Sequence, residues 1–189
     1  SPMPPARGPQ ASLRQAFVQP GYSLQLMAAE PLVADPVAID WGPDGRLWVV
    51  EMADYPYGAD GQGAPGGRIR FLEDTDDDGL YDRSTLFLDG VSFPTAVMPW
   101  RDGVLVTAAP ELFYAADTDG DGRADHREVL FRGFMEGNQQ LRVNGLRYGL
   151  DHRVYCAAGG HHAGFGKNNS LMIQATGERL ALGSRDFRF

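Results

Sequence analysis

The sequence has a single cysteine, Cys156, among 189 residues. This excludes an internal disulfide and a Cys-x-x-Cys-His haem attachment within the chain. In the run Arg153-Val154-Tyr155-Cys156-Ala157 the thiol reads as a small core residue rather than a nucleophile. Basic side chains are also scarce, 17 against 25 acidic, for a net charge of −8. Binding a nucleic-acid backbone needs a basic face, and attraction to an anionic membrane needs the same, so neither partner is expected. No apolar run approaches the roughly 18 residues that would span a bilayer. Helical periodicity is missing too: Leu13 to Val18 offers one turn at most before Pro20 stops it.

What is present is turn chemistry between short apolar runs, with 24 glycines and 13 prolines. From Gly21 onward the chain reads as strands and turns, rich in β-branched and aromatic residues. One type of strand follows an Asp-Gly or Asp-His turn, at Leu47-Trp48-Val49-Val50, Val104-Leu105-Val106-Thr107 and Val154-Tyr155-Cys156. A second runs into acidic loops, at Ile69 to Leu72 and Leu112 to Ala115. A third leaves those loops, at Thr85 to Leu88 and Glu128 to Phe131, each followed by a glycine, Gly90 or Gly133.

The repeat is 43 residues long between the two acidic loops, Asp74 to Gly79 and Asp117 to Gly122. Short strands recurring at about 40–45 residues mark the blades of a β-propeller, since one blade buries neither face until it stacks on neighbours. A β-sandwich with two similar hairpins is the alternative. The expected fold is therefore all-β, a partial β-propeller with about four blades' worth of chain. Residues 1–20, holding Pro2, Pro4, Pro5 and Pro9, read as a disordered tail or linker, and 21–189 as the propeller domain, truncated at its C-terminal end. The glycine-rich stretch 58–67 is an insertion absent from the second repeat, and reads as a flexible loop.

Calcium takes six to eight hard oxygens from a loop that curls around the ion. Asp117, Asp119, Asp121, the Arg123 carbonyl, Asp125 and Glu128 fill the twelve-residue calcium-loop pattern, with Gly122 at its sharp turn. Asp74, Asp76, Asp78 and Asp82 match in the first loop, but Thr85 stands where the last acid belongs. The loops lie between strands rather than helices, so the expected role of calcium is to brace blade edges; a solvated acidic turn is the alternative. The third repeat, Gln174-Ala175-Thr176-Gly177, carries no acids.

No Ser-His-Asp spacing, phosphate loop or zinc helix is present. His126 reads as a surface residue of the acidic loop and His152 as part of a turn. His161 and His162, flanked by glycines, are the candidate catalytic pair: in an extended chain they point opposite ways, so one can face a central channel. Arg142 and Asn144 are candidates for an anionic or carbonyl-bearing ligand or cofactor.

Several segments in order carry a resemblance: Gly21-Tyr22-Ser23-Leu24, Ala29 to Pro36, Gly45 to Met52, Asp54-Tyr55-Pro56, Asp117 to Asp125, Asn138-Gln139-Gln140, Asn144-Gly145-Leu146, Gly149-Leu150-Asp151 and Arg185 to Phe189. Over nearly all of 20–189 the chain resembles the N-terminal domain of the "putative membrane-bound dehydrogenase" family of planctomycete and related bacteria. These are also described as PVC-type haem-binding CxxCH proteins. The resemblance implies a propeller similar to quinoprotein sugar dehydrogenases that use pyrroloquinoline quinone (PQQ), within a longer exported polypeptide, periplasmic or membrane-associated. It implies a sugar-like alcohol or aldehyde as substrate, and a haem c on a cytochrome c domain outside this chain as electron acceptor. In those enzymes a histidine base precedes a Gly-x-Asp turn. Here Gln139-Gln140-Leu141-Arg142 stands before Gly149-Leu150-Asp151, so His161 or His162 would have to substitute. The competing reading is a calcium-braced propeller that binds a glycan or protein partner without turnover.

Overall fold

The computed structural model describes residues 5–160, 169–183 and 185–189. The protein is nearly all-β, with thirteen strands in three antiparallel sheets among the described residues. The first sheet holds β1 (Pro36–Trp41), β2 (Leu47–Glu51), β3 (Gly67–Glu73) and β4 (Arg83–Val91), paired in chain order. The second begins the same way with β5 (Ala96–Trp100), β6 (Gly103–Ala108), β7 (Glu111–Ala116) and β8 (His126–Arg132). The third has β9 (Asn144–Tyr148), β10 (Val154–Ala157) and β13 (Phe187–Arg188). The hairpin β11 (Ser170–Ile173) and β12 (Arg179–Ala181) joins the outer edge of the second sheet, where Ile173 pairs with Phe131. The inner strands β1, β5 and β9 pack side by side, and the sheets fan outward from them as propeller blades do.

The middle sheet explains why its strands read as continuous apolar runs rather than alternating ones. All six residues of β7 are buried, because both faces of the sheet are covered. Val104, Val106, Phe113 and Ala115 point into one cluster with Trp48, Val50, Ile69, Phe71 and Phe87 of the first sheet. Leu105, Leu112, Tyr114 and Ala116 point the other way, into a second cluster with Val143, Leu146, Val154 and Cys156. Period two therefore survives in the structure as a choice between two neighbours, not between core and water. Within the first cluster Trp48 meets Phe71 and Phe87 with ring centroids 5.2 and 4.8 Å apart.

The remaining face of the first sheet is covered by irregular chain. Ala28, Leu32 and Val33 pack on Leu47, Val49 and Leu72. Glu51, buried at the end of β2, fastens this cover: Oε1 accepts from the Ala34 N–H at 2.8 Å, and Oε2 from Arg70 Nε at 2.9 Å. Residues 21–35 thus carry no strand, where strands were expected from Gly21. Among the described residues the single α-helix, α1 (Pro9–Leu13), lies in the stretch read as a tail and starts earlier than the turn expected at Leu13. Pro9 occupies its first turn, where the missing N–H costs nothing. No helix among the described residues is long and apolar enough to cross a membrane.

The insertion is held in place rather than loose. Asp54, fully buried at its root, accepts from the Phe93 N–H at 2.7 Å and the Gly66 N–H at 3.3 Å. Within the insertion Asp60 accepts from the Gln62 and Ala64 N–H groups, and these bonds hold its carboxyl below the usual range. Cys156 is buried as expected; burial pushes its thiol up to about 12, which makes it unreactive at neutral pH. At Gly133 the backbone is left-handed, and a Cβ would meet the Ser170 carbonyl at 2.3 Å, where β11 crosses to β8.

Candidate metal loops and axial groove

Both acidic loops turn on the carboxylate of their first aspartate, which in each accepts from the N–H five residues on. In the second, the Asp117 carboxylate accepts from the Gly120 and Gly122 N–H groups at 2.7 and 2.8 Å. In the first, Asp74 accepts from the Asp78 and Gly79 N–H groups at 3.3 and 2.8 Å. Each loop is closed by a later aspartate on the threonine after its first acid. Asp125 takes the Thr118 N–H and hydroxyl, at 2.8 and 2.7 Å, and Asp82 takes the same groups of Thr75. Gly79, Gly120 and Gly122 adopt left-handed backbone in these turns.

The curl brings three carboxylates together in each loop. Ligand oxygens of Asp74, Asp76 and Asp78 all lie within 4.8 Å of one another, and so do those of Asp117, Asp119 and Asp121. The other expected ligands stand apart in role. Asp82 and Asp125 act as loop closers, Arg123 donates its N–H to Asp121 at 2.7 Å, and Glu128 lies exposed on β8 opposite Tyr114. Repulsion from Asp78 raises the Asp76 carboxyl above its ordinary value. Hydrogen bonds from Gly122 and from the Thr118 hydroxyl lower Asp117 and Asp125 respectively.

The loops also reach across sheets. The Ala124 N–H donates to the Phe87 carbonyl of β4 at 2.9 Å, so the second loop is seated on the first sheet's outer strand. Within the second sheet, the Gln174 N–H after β11 donates to the Leu130 carbonyl of β8 at 3.0 Å, at a turn without acids.

A different kind of site lies where the inner strands meet. Two adjoining hollows of about 540 and 500 Å³ share Val37, Met52, Gln139 and Gln140, and form one groove along the axis. Its walls come from β1, β5, β9 and the short 3-10 turn Gln139–Leu141. Three side-chain amides on it are oriented by their nitrogens: Gln139 Nε2 donates to the Pro56 carbonyl at 2.8 Å, Gln140 Nε2 to the Tyr55 hydroxyl at 2.8 Å, and Asn144 Nδ2 to the Arg142 carbonyl at 3.0 Å.

Of the residues expected at a ligand or cofactor, Asn144 lines this groove, but Arg142 does not. Arg142 is 6% exposed, stacks over the Phe93 ring at 4.6 Å, and spends Nε and Nη2 on the Glu136 carbonyl. Its Nη1, like Oδ1 of the nearby Asp54, has no hydrogen-bond partner among the described residues. His161 and His162 lie outside the described residues. His126 sits on β8 against the Tyr114 ring, and His152 holds a left-handed turn position. Sequence reasoning missed Asp35, Glu51, Asp54 and Tyr55 as individual residues. A residue before proline is normally extended, so the Asp35-Pro36 pair gave no sign of the left-handed Asp35.

Residues 8–189 match the family described as "Domain of unknown function (DUF7133)". No curated protein matches the sequence. One solved structure to which the chain is similar is described as the "putative oxidoreductase (glucose dehydrogenase)" of Thermus thermophilus. The two are 17% identical, with a TM-score of 0.45, and the match covers 65% of this chain and 38% of that one.

Proposed function

The chain belongs to the family described as a domain of unknown function (DUF7133), and from that premise we propose that it supplies calcium-braced sheets of an exported, periplasmic dehydrogenase-type propeller. The reaction in this reading is oxidation of a sugar-like alcohol or aldehyde, with electrons passed to a cytochrome c domain of the same polypeptide. The observation that carries the calcium part is the pair of loops with one hydrogen-bond plan and three converging carboxylates each.

The donor chemistry fits calcium. The ligands are hard oxygens, and backbone N–H groups already aim the first aspartate of each loop inward. The lowered Asp117 and Asp125 favour the folded state above the ordinary carboxylate range, and that contribution fades as pH falls through their folded values. The raised Asp76 has the opposite sign: its charged form is disfavoured by Asp78, and either a proton or a cation relieves it. In this reading Asp74, Asp76 and Asp78, and Asp117, Asp119 and Asp121, hold the ions, whose chemistry is structural.

Calcium titrated into the metal-stripped protein is expected to raise its melting temperature. With calcium at a hundred times the dissociation constant the gain is about 2.7 kcal/mol per site, or roughly 5–10 °C. Asp117→Asn is expected to remove most of the second loop's share. An unchanged melting temperature at millimolar calcium would sink the assignment.

The quinone enters through the resemblance alone. Arg142, the cation proposed to hold it, is committed to the interior and does not fit that role, so no step is drawn through the cofactor. The axial groove, walled by amides and aliphatic side chains, favours the second reading, a non-catalytic propeller binding a glycan or protein. Reconstituting the full-length protein with PQQ and calcium and assaying dye reduction over a sugar panel separates the two. Dye reduction would carry the enzymatic reading; no quinone spectrum and no reduction would leave the binding module.

A further inference from the structure

We propose that one internal water molecule is bound between Asp54 Oδ1 and Arg142 Nη1, and that it joins two walls of the axial groove from behind. The site needs no substrate, and it holds whether or not the propeller turns one over.

Among the described residues three buried side-chain atoms have no hydrogen-bond partner, and two of the three belong to this pair. The third, Ser84 Oγ, stands on β4. Asp54 is fully buried and Arg142 is 6% exposed. The great majority of such groups are paired in folded proteins, because an orphan keeps the cost of leaving water. An orphaned acceptor and an orphaned donor near one another point to one shared partner.

The rest of each side chain is fixed, so neither group turns to satisfy itself. Asp54 Oδ2 accepts from the Phe93 N–H at 2.7 Å and the Gly66 N–H at 3.3 Å. Arg142 Nε and Nη2 both donate to the Glu136 carbonyl, and the guanidinium lies over the Phe93 ring. Phe93 thus touches both groups. Burial pushes the Arg142 guanidinium down, and the Glu136 and Asp54 carboxylates oppose that shift. Yet no Arg142 nitrogen comes within 4.0 Å of an Asp54 oxygen. A water with a hydrogen bond at each end spans about 4.5–5.5 Å, which suits charges that interact without touching.

The two ends select the occupant. The carboxylate only accepts and the guanidinium only donates, so the bridge must donate at one end and accept at the other. A metal ion would face the guanidinium, and an anion would face the carboxylate. Both atoms are sealed from solvent, so a hydroxyl carried by a larger molecule does not reach them. Water meets every condition.

Its position gives the water a role. Asp54 follows β2 at the root of the insertion, and Arg142 closes the 3-10 turn Gln139–Leu141 just before β9. Across the same junction Gln139 Nε2 reaches the Pro56 carbonyl, and Gln140 Nε2 the Tyr55 hydroxyl, each at 2.8 Å. The water adds a third link, the buried one. Tyr55 and Gln140 then line the groove as one unit.

The test is a crystal structure of the full-length protein at a resolution that shows ordered water, with the Arg142→Met variant beside it. One water oxygen is expected about 2.7–3.2 Å from both Asp54 Oδ1 and Arg142 Nη1 in the parent, and none there in the variant. Where the variant does not fold, the parent decides alone. In solution its Arg142 guanidinium protons are expected to show nuclear Overhauser contacts to water with the sign of a bound molecule. The assignment is overturned by a direct Asp54–Arg142 ion pair, by an ion or a protein group between them, or by no density there. It is equally overturned by a water that persists unchanged in Arg142→Met.

Discussion

Phe113→Ala is expected to lower folding stability by about 3–5 kcal/mol, measured as a shift of the urea unfolding midpoint at constant slope. Phe113 has no exposed surface. It lies on β7 in the middle sheet, pointing into the cluster that joins that sheet to the first. Truncation removes the ring's buried area and leaves a cavity between two sheets packed on each other, which the close-packed surroundings fill only in part. The guanidinium of Arg127, 4.0 Å from the ring centroid, also loses its platform. Phe17→Ala is the matched control: at 97% exposed it should cost no more than about 0.5 kcal/mol. A loss below about 1 kcal/mol at Phe113 would mean that the first two sheets do not pack as described.

The second large effect belongs to Asp54. Replacing it by alanine takes the acceptor from the Phe93 and Gly66 N–H groups and removes one of the two negative charges, with Glu136, that favour the Arg142 guanidinium. Leaving two buried N–H groups unsatisfied costs about 1–3 kcal/mol each. Asp54→Asn keeps one acceptor oxygen and should cost less, about 1–3 kcal/mol. The measurement is again chemical unfolding, with both variants compared in an Arg142→Met background. There the Asp54→Ala penalty should shrink, because the Asp54 charge no longer has a guanidinium to favour. Equal penalties in the two backgrounds would show that Asp54 and Arg142 do not interact.

The two residues also show where the sequence stops being legible. Strands β2, β3, β4, β6, β7, β8 and β10 were all readable, because turn residues and β-branched runs are local signals. The 43-residue repeat was readable for the same reason, and it located both loops. The buried Asp54 was not, since its partner Phe93 lies 39 residues away. Nor was the covering of the first sheet by the chain before Asp35: Leu32 and Val33 have the composition of a strand, but they pack as a lid with no neighbour to pair with. The β11–β12 hairpin escaped too, because its pairing with β8 depends on which free edge is nearest rather than on its own residues. In the acidic loops, spacing identified the ligand types. It did not separate the three aspartates that converge from Asp82 and Asp125, whose oxygens are spent on threonine.

The bond from Ala124 to Phe87 gives the fold a one-dimensional logic. The second sheet is tied to the first at the inner strands and again at the rim, and to the third at the inner strands and through a shared core, so cohesion is a sum of nearest-neighbour couplings. The middle sheet has two such couplings, while the first and third have one each within the described residues. Damage to one rim loop therefore loosens a single junction and leaves the other intact. The strands β6 and β7, buried on both faces, are expected to keep their amide protons longest in hydrogen exchange.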